Sequence, residues 1–326
     1  MFDKSELRGF SGEERAAARK SYQATHDALE YFEHKIDQAT VDPLLSAASA
    51  KFIDRLWRGA RSKAELSLAS RAVWEVHGKA SILSHIEFCR DKPELMLGAT
   101  RARLITLSPS VGITDIANVA VVLPQLKGFA DRTARKLQLS ALFTFDIALF
   151  CASRSADVDT VAQHVQGTVW SQNTRFQPSK QAKRIGDACG QSNTLAAPIG
   201  VIKTRGASSG NTLGLDDVAG LGWYASKLSC GVNTCYMTKK GRRSENSHTG
   251  WQAKHALRQL ELWSHMSVLD ACWGVGHGKT LRMLWRERLT RLLECPLGCR
   301  LEISHGPRTA SWVQVWRELG TGYRAI

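Results

Sequence analysis

The chain has 326 residues, 43% of them apolar, with 44 Lys and Arg against 30 Asp and Glu, a net charge of +14 and a pI near 9.6. That apolar content excludes global disorder, and the charged opening MFDKSELRGFSGEERAAARKSY is unlike a secretory signal. No run is apolar enough to span a bilayer, so a cytoplasmic, bacterial-type setting without a membrane partner is expected. The cationic excess favours polyanionic partners, nucleic acid before membrane surfaces.

Residues 1–88 read mainly as helix. Ser11 with Glu14 three residues on fits a capping box, and Pro43 interrupts before apolar residues recur at helical spacing from Leu44 through Trp57. Arg55, Arg58, Arg61 and Lys63 read as a solvated face rather than phosphate contacts. Ser67 to Ile86 is a further helix. After Pro93 the period changes: Arg101 to Ser108 alternates like a strand and stops at Pro109, and Ile116 to Lys136 reads as helix despite Pro124.

Leu142 to Trp170 then reads as two half-buried strands joined by an acidic connection at 153–159. Strand side chains alternate, so Asp146 lies opposite the apolar face of the first strand, and His164, Gln166 and Thr168 share a face of the second. If the strands pair, Asp146, His164 and Gln166 meet on one face. A carboxylate, an imidazole and an amide oxygen there form a candidate site for Mg²⁺ or Mn²⁺. Taken alone, the same residues also describe an ordinary strand with solvated polar groups.

Downstream, 173–193 is polar and basic, with Arg175, Lys180, Lys183 and Arg184, and 199–204 is a short strand. Leu215-Asp-Asp217 caps a helix from Val218 towards Leu228, on which Tyr224 and Lys227 are three apart and share a face. A phenol can attack a phosphodiester when a cation polarises the phosphate, and a lysine one turn away can hold developing negative charge. An amphipathic helix with a buried aromatic is the plainer alternative.

The basic turn Lys239-Lys-Gly-Arg-Arg243 marks a boundary, and 246–326 reads as a small helical domain whose tryptophans form core. Its WGVGHGKT stretch (273–280) ends like a phosphate-binding loop, but Trp273 stands where the first glycine is required, and a loop before a helix explains it. Eight cysteines include no CxxC pair; Cys295 and Cys299 lack a second pair at zinc spacing, so free thiols are expected.

In order, the chain carries RLITLSP, FDIAL, QHVQGTVW and WYASK. This order resembles the HUH endonucleases, the superfamily of rolling-circle replication initiators. Bacterial plasmid initiators are especially similar, with a Phe-Asp strand before a Gln-Pro-His-hydrophobic-His-Gly stretch and a basic segment after the tyrosine helix. The resemblance covers 89–245 and divides the chain into a helical region (1–88), an HUH-like endonuclease domain (89–245) and a helical C-terminal domain (246–326).

It implies an α+β fold with an antiparallel sheet of the HUH type and flanking helices. It also implies metal ligands at His164, Gln166 and Asp146, with Tyr224 as nucleophile and Lys227 beside it. The product is a 5′-phosphotyrosine link and a free 3′-hydroxyl. Arg101, Arg103, Lys180, Lys183, Arg184, Lys239, Lys240, Arg242 and Arg243 would contact DNA, single-stranded or extruded as an origin hairpin. A host helicase and polymerase would be further partners.

Gln166 departs from the family's second histidine, although a His-hydrophobic-Gln form occurs in initiators of circular single-stranded DNA viruses. No cysteine pairs precede the first motif, and the long interval from Gln166 leaves Tyr236 as a rival nucleophile. A non-catalytic DNA-binding descendant and an HUH-type transposase or relaxase remain alternatives. An RNA-binding structural protein accounts for the charge without the motif order.

Overall fold

The long N-terminal helix begins where the sequence caps it. Ser11 Oγ accepts from the Glu14 amide at 3.2 Å and Glu14 accepts from the Ser11 amide at 2.7 Å, starting α1 (Gly12–Thr40) with both orphan donors satisfied. The computed structural model describes residues 1–97, 102–109, 112–151, 160–171, 199–202, 213–228, 232–238, 241–247, 252–293 and 307–320. After α1 come α2 (Ala47–Arg58) and α3 (Arg71–Asp91), then β1 (Arg103–Leu107) and β2 (Ile113–Asp115). Next are α4 (Val119–Lys136), β3 (Leu139–Cys151), β4 (Thr160–Ser171), β5 (Ile199–Ile202) and α5 (Leu215–Ala225). The remaining main elements are β6 (Val232–Thr238), β7 (Gly241–Ser247), α6 (Ala253–Ser264), β8 (Cys272–Val275), α7 (Gly278–Leu293) and α8 (Pro307–Glu318).

The fold is α+β. The sheet runs β5-β1-β4-β3-β6-β7, with β2 also on β4 and β8 also on β3. The four strands β5, β1, β4 and β3 are antiparallel neighbours, whereas β6 joins β3 in parallel at Leu149–Cys151. Because β4 occupies one edge of β3, β8 and β6 share the other; β8 pairs with Ala141–Thr144.

Period two divides the sheet into two faces. On one, Ile105, Phe143, Val165 and Val169 pack with Val122, Leu126 and Ala130 of α4. On the other, α3 crosses: Phe88 meets Trp170 with ring centroids 5.4 Å apart, and His85 Nε2 lies 3.0 Å from Thr168 Oγ1. Beside it, α5 packs on α3 and also reaches β3 and β4. Gly222 allows the approach, since a Cβ there would lie 2.7 Å from the Ile82 Cα, and Ser81 Oγ donates to the Gly222 carbonyl at 2.7 Å.

The boundaries expected near residues 88 and 245 do not separate cores. Phe32, Ile53 and Trp57 from the first segment join Leu142, Leu149 and Val218 from the second and Trp263, Trp285 and Trp312 from the third. β8, from the last segment, is a strand of the central sheet. The Trp-rich stretch therefore supplies core and sheet together rather than forming an appended helical unit. Arg58 lies on a solvated face as expected, held by Glu33, Asp37 and Asp54, each at 2.7 Å.

Candidate functional site

The β3–β4 register sets Asp146 directly opposite His164 and Thr144 opposite Gln166. The three candidate ligands therefore share the sheet face on which Thr168 meets His85. Gln166 is buried, and its Nε2 donates to Asp146 Oδ2. That bond turns Gln166 Oε1 into the atom the amide can offer elsewhere. His164 and Asp146 are half-buried.

The end of α5 supplies the other two groups. Tyr224 lies in its last turn, half-buried against the core. The helix stops at Ala225 with Ser226 as its C-cap, so Lys227 falls just outside it. This corrects the expectation that Tyr224 and Lys227 share a helical face. They are neighbours through the chain's turn instead: the Lys227 amide donates to the Tyr224 carbonyl at 3.4 Å, and Nζ sits 5.5 Å from the ring centroid.

The two elements meet at one small cavity, lined by Thr144 and Asp146 from β3 and by Ser226 and Lys227 after α5. Burial holds His164 below the usual imidazole range; the nearby Asp146 carboxylate opposes that shift and Lys227 adds to it. Burial also holds the Tyr224 phenol above its usual range, and Asp146 raises it further. Asp146 thus acts on groups from both β4 and α5.

A neutral His164 keeps a lone pair for a cation or a proton. Together with a carboxylate and an amide oxygen it forms a candidate donor set for Mg²⁺ or Mn²⁺, with waters completing the coordination. Among the described residues, no three His, Cys, Asp or Glu side chains gather into a metal cluster, so any such set depends on Gln166 as its third member.

The wall behind the site is polar but satisfied. His85 Nδ1 lies 2.7 Å from the Ser81 carbonyl, which can only accept, so Nδ1 carries the proton and Nε2 accepts from Thr168. Burial pushes His85 down to about 4. Only Thr168, on the period-two face, hints at this buttress in the sequence. Beside Asp146 and Lys227 a cavity of about 20 Å³, bounded also by Thr144, Ser226 and His77, has room for a water and little more.

Tyr236 lies on β6, opposite Arg243, with Arg242 opposite Met237; it is a strand residue of the β6–β7 hairpin and not part of α5. Arg103 is on β1 opposite Val169, with Nη1 donating to the Ala102 carbonyl at 3.4 Å. Arg101, Lys180, Lys183, Arg184, Lys239 and Lys240 lie outside the described residues, as do Cys295 and Cys299. Cys89 and Cys272 are buried free thiols. Among the described residues, no helix is long and apolar enough to cross a membrane.

No protein-family model, curated protein or solved structure matches the chain.

Proposed function

We propose that the chain is a metal-dependent DNA endonuclease and strand transferase of the HUH type, acting as a rolling-circle replication initiator on single-stranded or extruded origin DNA. One observation carries the reading: Asp146, His164 and Gln166 share a face of β3 and β4, and Lys227, whose ammonium lies over the Tyr224 ring at the end of α5, lines one small cavity with Asp146. The motif order in the sequence supports it independently.

Tyr224 is the nucleophile in this reading. Its phenol oxygen forms a bond to phosphorus as the bond from phosphorus to the 3′ oxygen breaks, leaving a 5′-phosphotyrosine and a 3′-hydroxyl. The phenol proton passes to water and the departing 3′ oxygen gains one, so charge and atoms balance. Lys227, over the ring, neutralises charge on the phosphate or the phenolate. Mg²⁺ or Mn²⁺ held by Asp146, His164 and Gln166 would supply Lewis-acid polarisation of the scissile phosphate. A raised phenol pKa makes such help necessary at neutral pH.

The test incubates labelled single-stranded oligonucleotides with Mn²⁺ and resolves the protein on a denaturing gel. A labelled adduct present in the wild type and absent from Tyr224→Phe and His164→Ala is expected. Loss in Tyr236→Phe alone would move the nucleophile to β6. The Gln166–Asp146 hydrogen bond favours a second reading, a DNA-binding descendant whose ligand face is closed on itself. Salt-sensitive binding without any adduct would select it.

A further inference from the structure

Between α4 and the β8–α7 unit lies a groove of about 830 Å³. Lys127 and Arg135 line it from α4, and Lys279, Arg282 and Arg286 line it from α7, against the two carboxylates of Asp131 and Asp270.

These cations are unequally committed. Arg282 donates Nε to the Cys272 carbonyl at 2.9 Å and Nη2 to the Leu269 carbonyl at 3.2 Å, pinning α7 to β8. Lys127 pairs with Asp131 at 3.3 Å and lies 5.3 Å from the Trp273 ring centroid, and Trp273 Nε1 donates to the same carboxylate at 2.9 Å. The side chains of Arg135, Lys279 and Arg286 have no hydrogen-bond or ion-pair partner among the described residues, and Arg286 Nε is buried unsatisfied. A guanidinium or ammonium group without an ion-pair partner is open to an anionic one.

The layout of charge identifies the anion. Lys279, Arg282 and Arg286 recur at helical spacing along one face of α7, spanning about 10 Å, while Lys127 and Arg135 stand about 12 Å apart on α4. Positive charge is thus spread in two rows rather than focused on one point.

The glycine-rich loop at 274–278 offers no open phosphate cradle. The His277 amide donates to Ser140 Oγ at 3.1 Å, that of Lys279 to the Gly276 carbonyl at 3.1 Å, and that of Thr280 to the His277 carbonyl at 3.0 Å. Gly278 serves close packing, because a Cβ there would run into the Ala141 backbone. Those three amides are already bonded within the protein, which disfavours a nucleoside triphosphate.

We infer that the α4–α7 groove is a track for the phosphodiester backbone of single-stranded DNA, separate from the Tyr224 site. The choice of a single strand over a duplex rests on the proposed function, which acts on single-stranded or extruded DNA. Met283, 60% exposed at its margin, offers apolar surface to bases. The choice of DNA rests on the proposed nicking function; the phosphodiester chemistry does not.

The test is fluorescence anisotropy of the full chain with labelled oligo-dT across a salt series, comparing wild type with Arg135→Ala/Lys279→Ala/Arg286→Ala. Arg132→Ala, an α4 cation outside the groove, is the control. The triple variant is expected to lower affinity roughly tenfold at moderate salt and to reduce the slope of log K against log salt by about two, at about 0.7 per phosphate. The control should leave both unchanged, and the melting temperature of each variant should match wild type. Unchanged oligo-dT binding in a folded triple variant overturns the inference. So does absence of oligo-dT binding in the wild type, a loss confined to ATP or tripolyphosphate, or a loss confined to oligo-U. Covalent adduct at saturating DNA separates the two proposals: the triple variant should form it, whereas Tyr224→Phe should bind normally and form none.

Discussion

The Tyr224 site and the α4–α7 groove both adjoin β3, yet they spend their polar groups in opposite ways. At the first, groups converge and are paired: Gln166 bonds Asp146, Lys227 covers Tyr224, and His85 and Thr168 brace the same face. In the second, the side chains of Arg135, Lys279 and Arg286 are spread along two helices without partners among the described residues. Convergence suits chemistry at one atom, where orientation and shifted pKa values matter. Dispersion suits a repeating polyanion, where each contact adds a similar increment.

The sharpest break between the two regions is Tyr224→Phe. It keeps the packing of a half-buried ring, so the melting temperature should move little while adduct formation falls by about a thousandfold or more, the scale for loss of a covalent nucleophile. Equal loss of folding and adduct would instead make Tyr224 a core residue.

Acid should act on the buried imidazoles behind the Tyr224 site. Burial depresses His77 to about 3 and His85 to about 4, below the unfolded value of about 6.5. The unfolded chain therefore binds more protons in this window, so stability is present in full above about pH 6.5 and is lost as pH falls towards the folded values. The contribution at stake is on the order of 3 kcal/mol for His85 and about 5 kcal/mol for His77. Urea melts from pH 7 to 4 should show that decline, and His85→Gln should flatten part of it; a pH-independent midpoint would contradict the buttress.

Gly278→Ala tests whether the groove's loop is built for packing. Forcing a methyl into the Ala141 backbone should cost about 2–3 kcal/mol, read in chemical denaturation. A neutral substitution would mean the β8–α7 junction is looser than its contacts indicate.

The smallest expected change sharpens the metal-binding side. Gln166→His replaces an amide oxygen with an imidazole nitrogen opposite Thr144, and should raise Mn²⁺ affinity roughly tenfold, about 1.4 kcal/mol, measured as a larger Mn²⁺-induced thermal shift. No difference between the two proteins would place the cation elsewhere.

Much of the first region is legible in the sequence because it is local. Alternation decides which side chains of β3 and β4 share a face, and the short connection between the strands makes their pairing the natural outcome, so Asp146 and His164 come to one face by pattern alone. The end of α5 is less legible. Helical spacing carries Tyr224 and Lys227 onto one face, but Ser226 ends the helix, and the turn's hydrogen bond and the cation over the ring keep them adjacent.

The groove is not legible, since β8 meets β3 about 130 residues away in sequence and nothing in CWGV announces that partner. For the same reason, the segments expected as separate N- and C-terminal units merge into one core. The glycines of GVGHGKT point to phosphate, whereas their use at Gly278 is close packing against Ala141. Spacing alone cannot tell a loop that exposes its amides from one that spends them.

The most direct test of the central claim is peptide mapping of the covalent product by mass spectrometry after reaction with single-stranded DNA and Mn²⁺. The account predicts a nucleotide mass on the peptide carrying Tyr224, absent when His164 is Ala. A nucleotide on any other residue, or none alongside confirmed DNA binding, would contradict it.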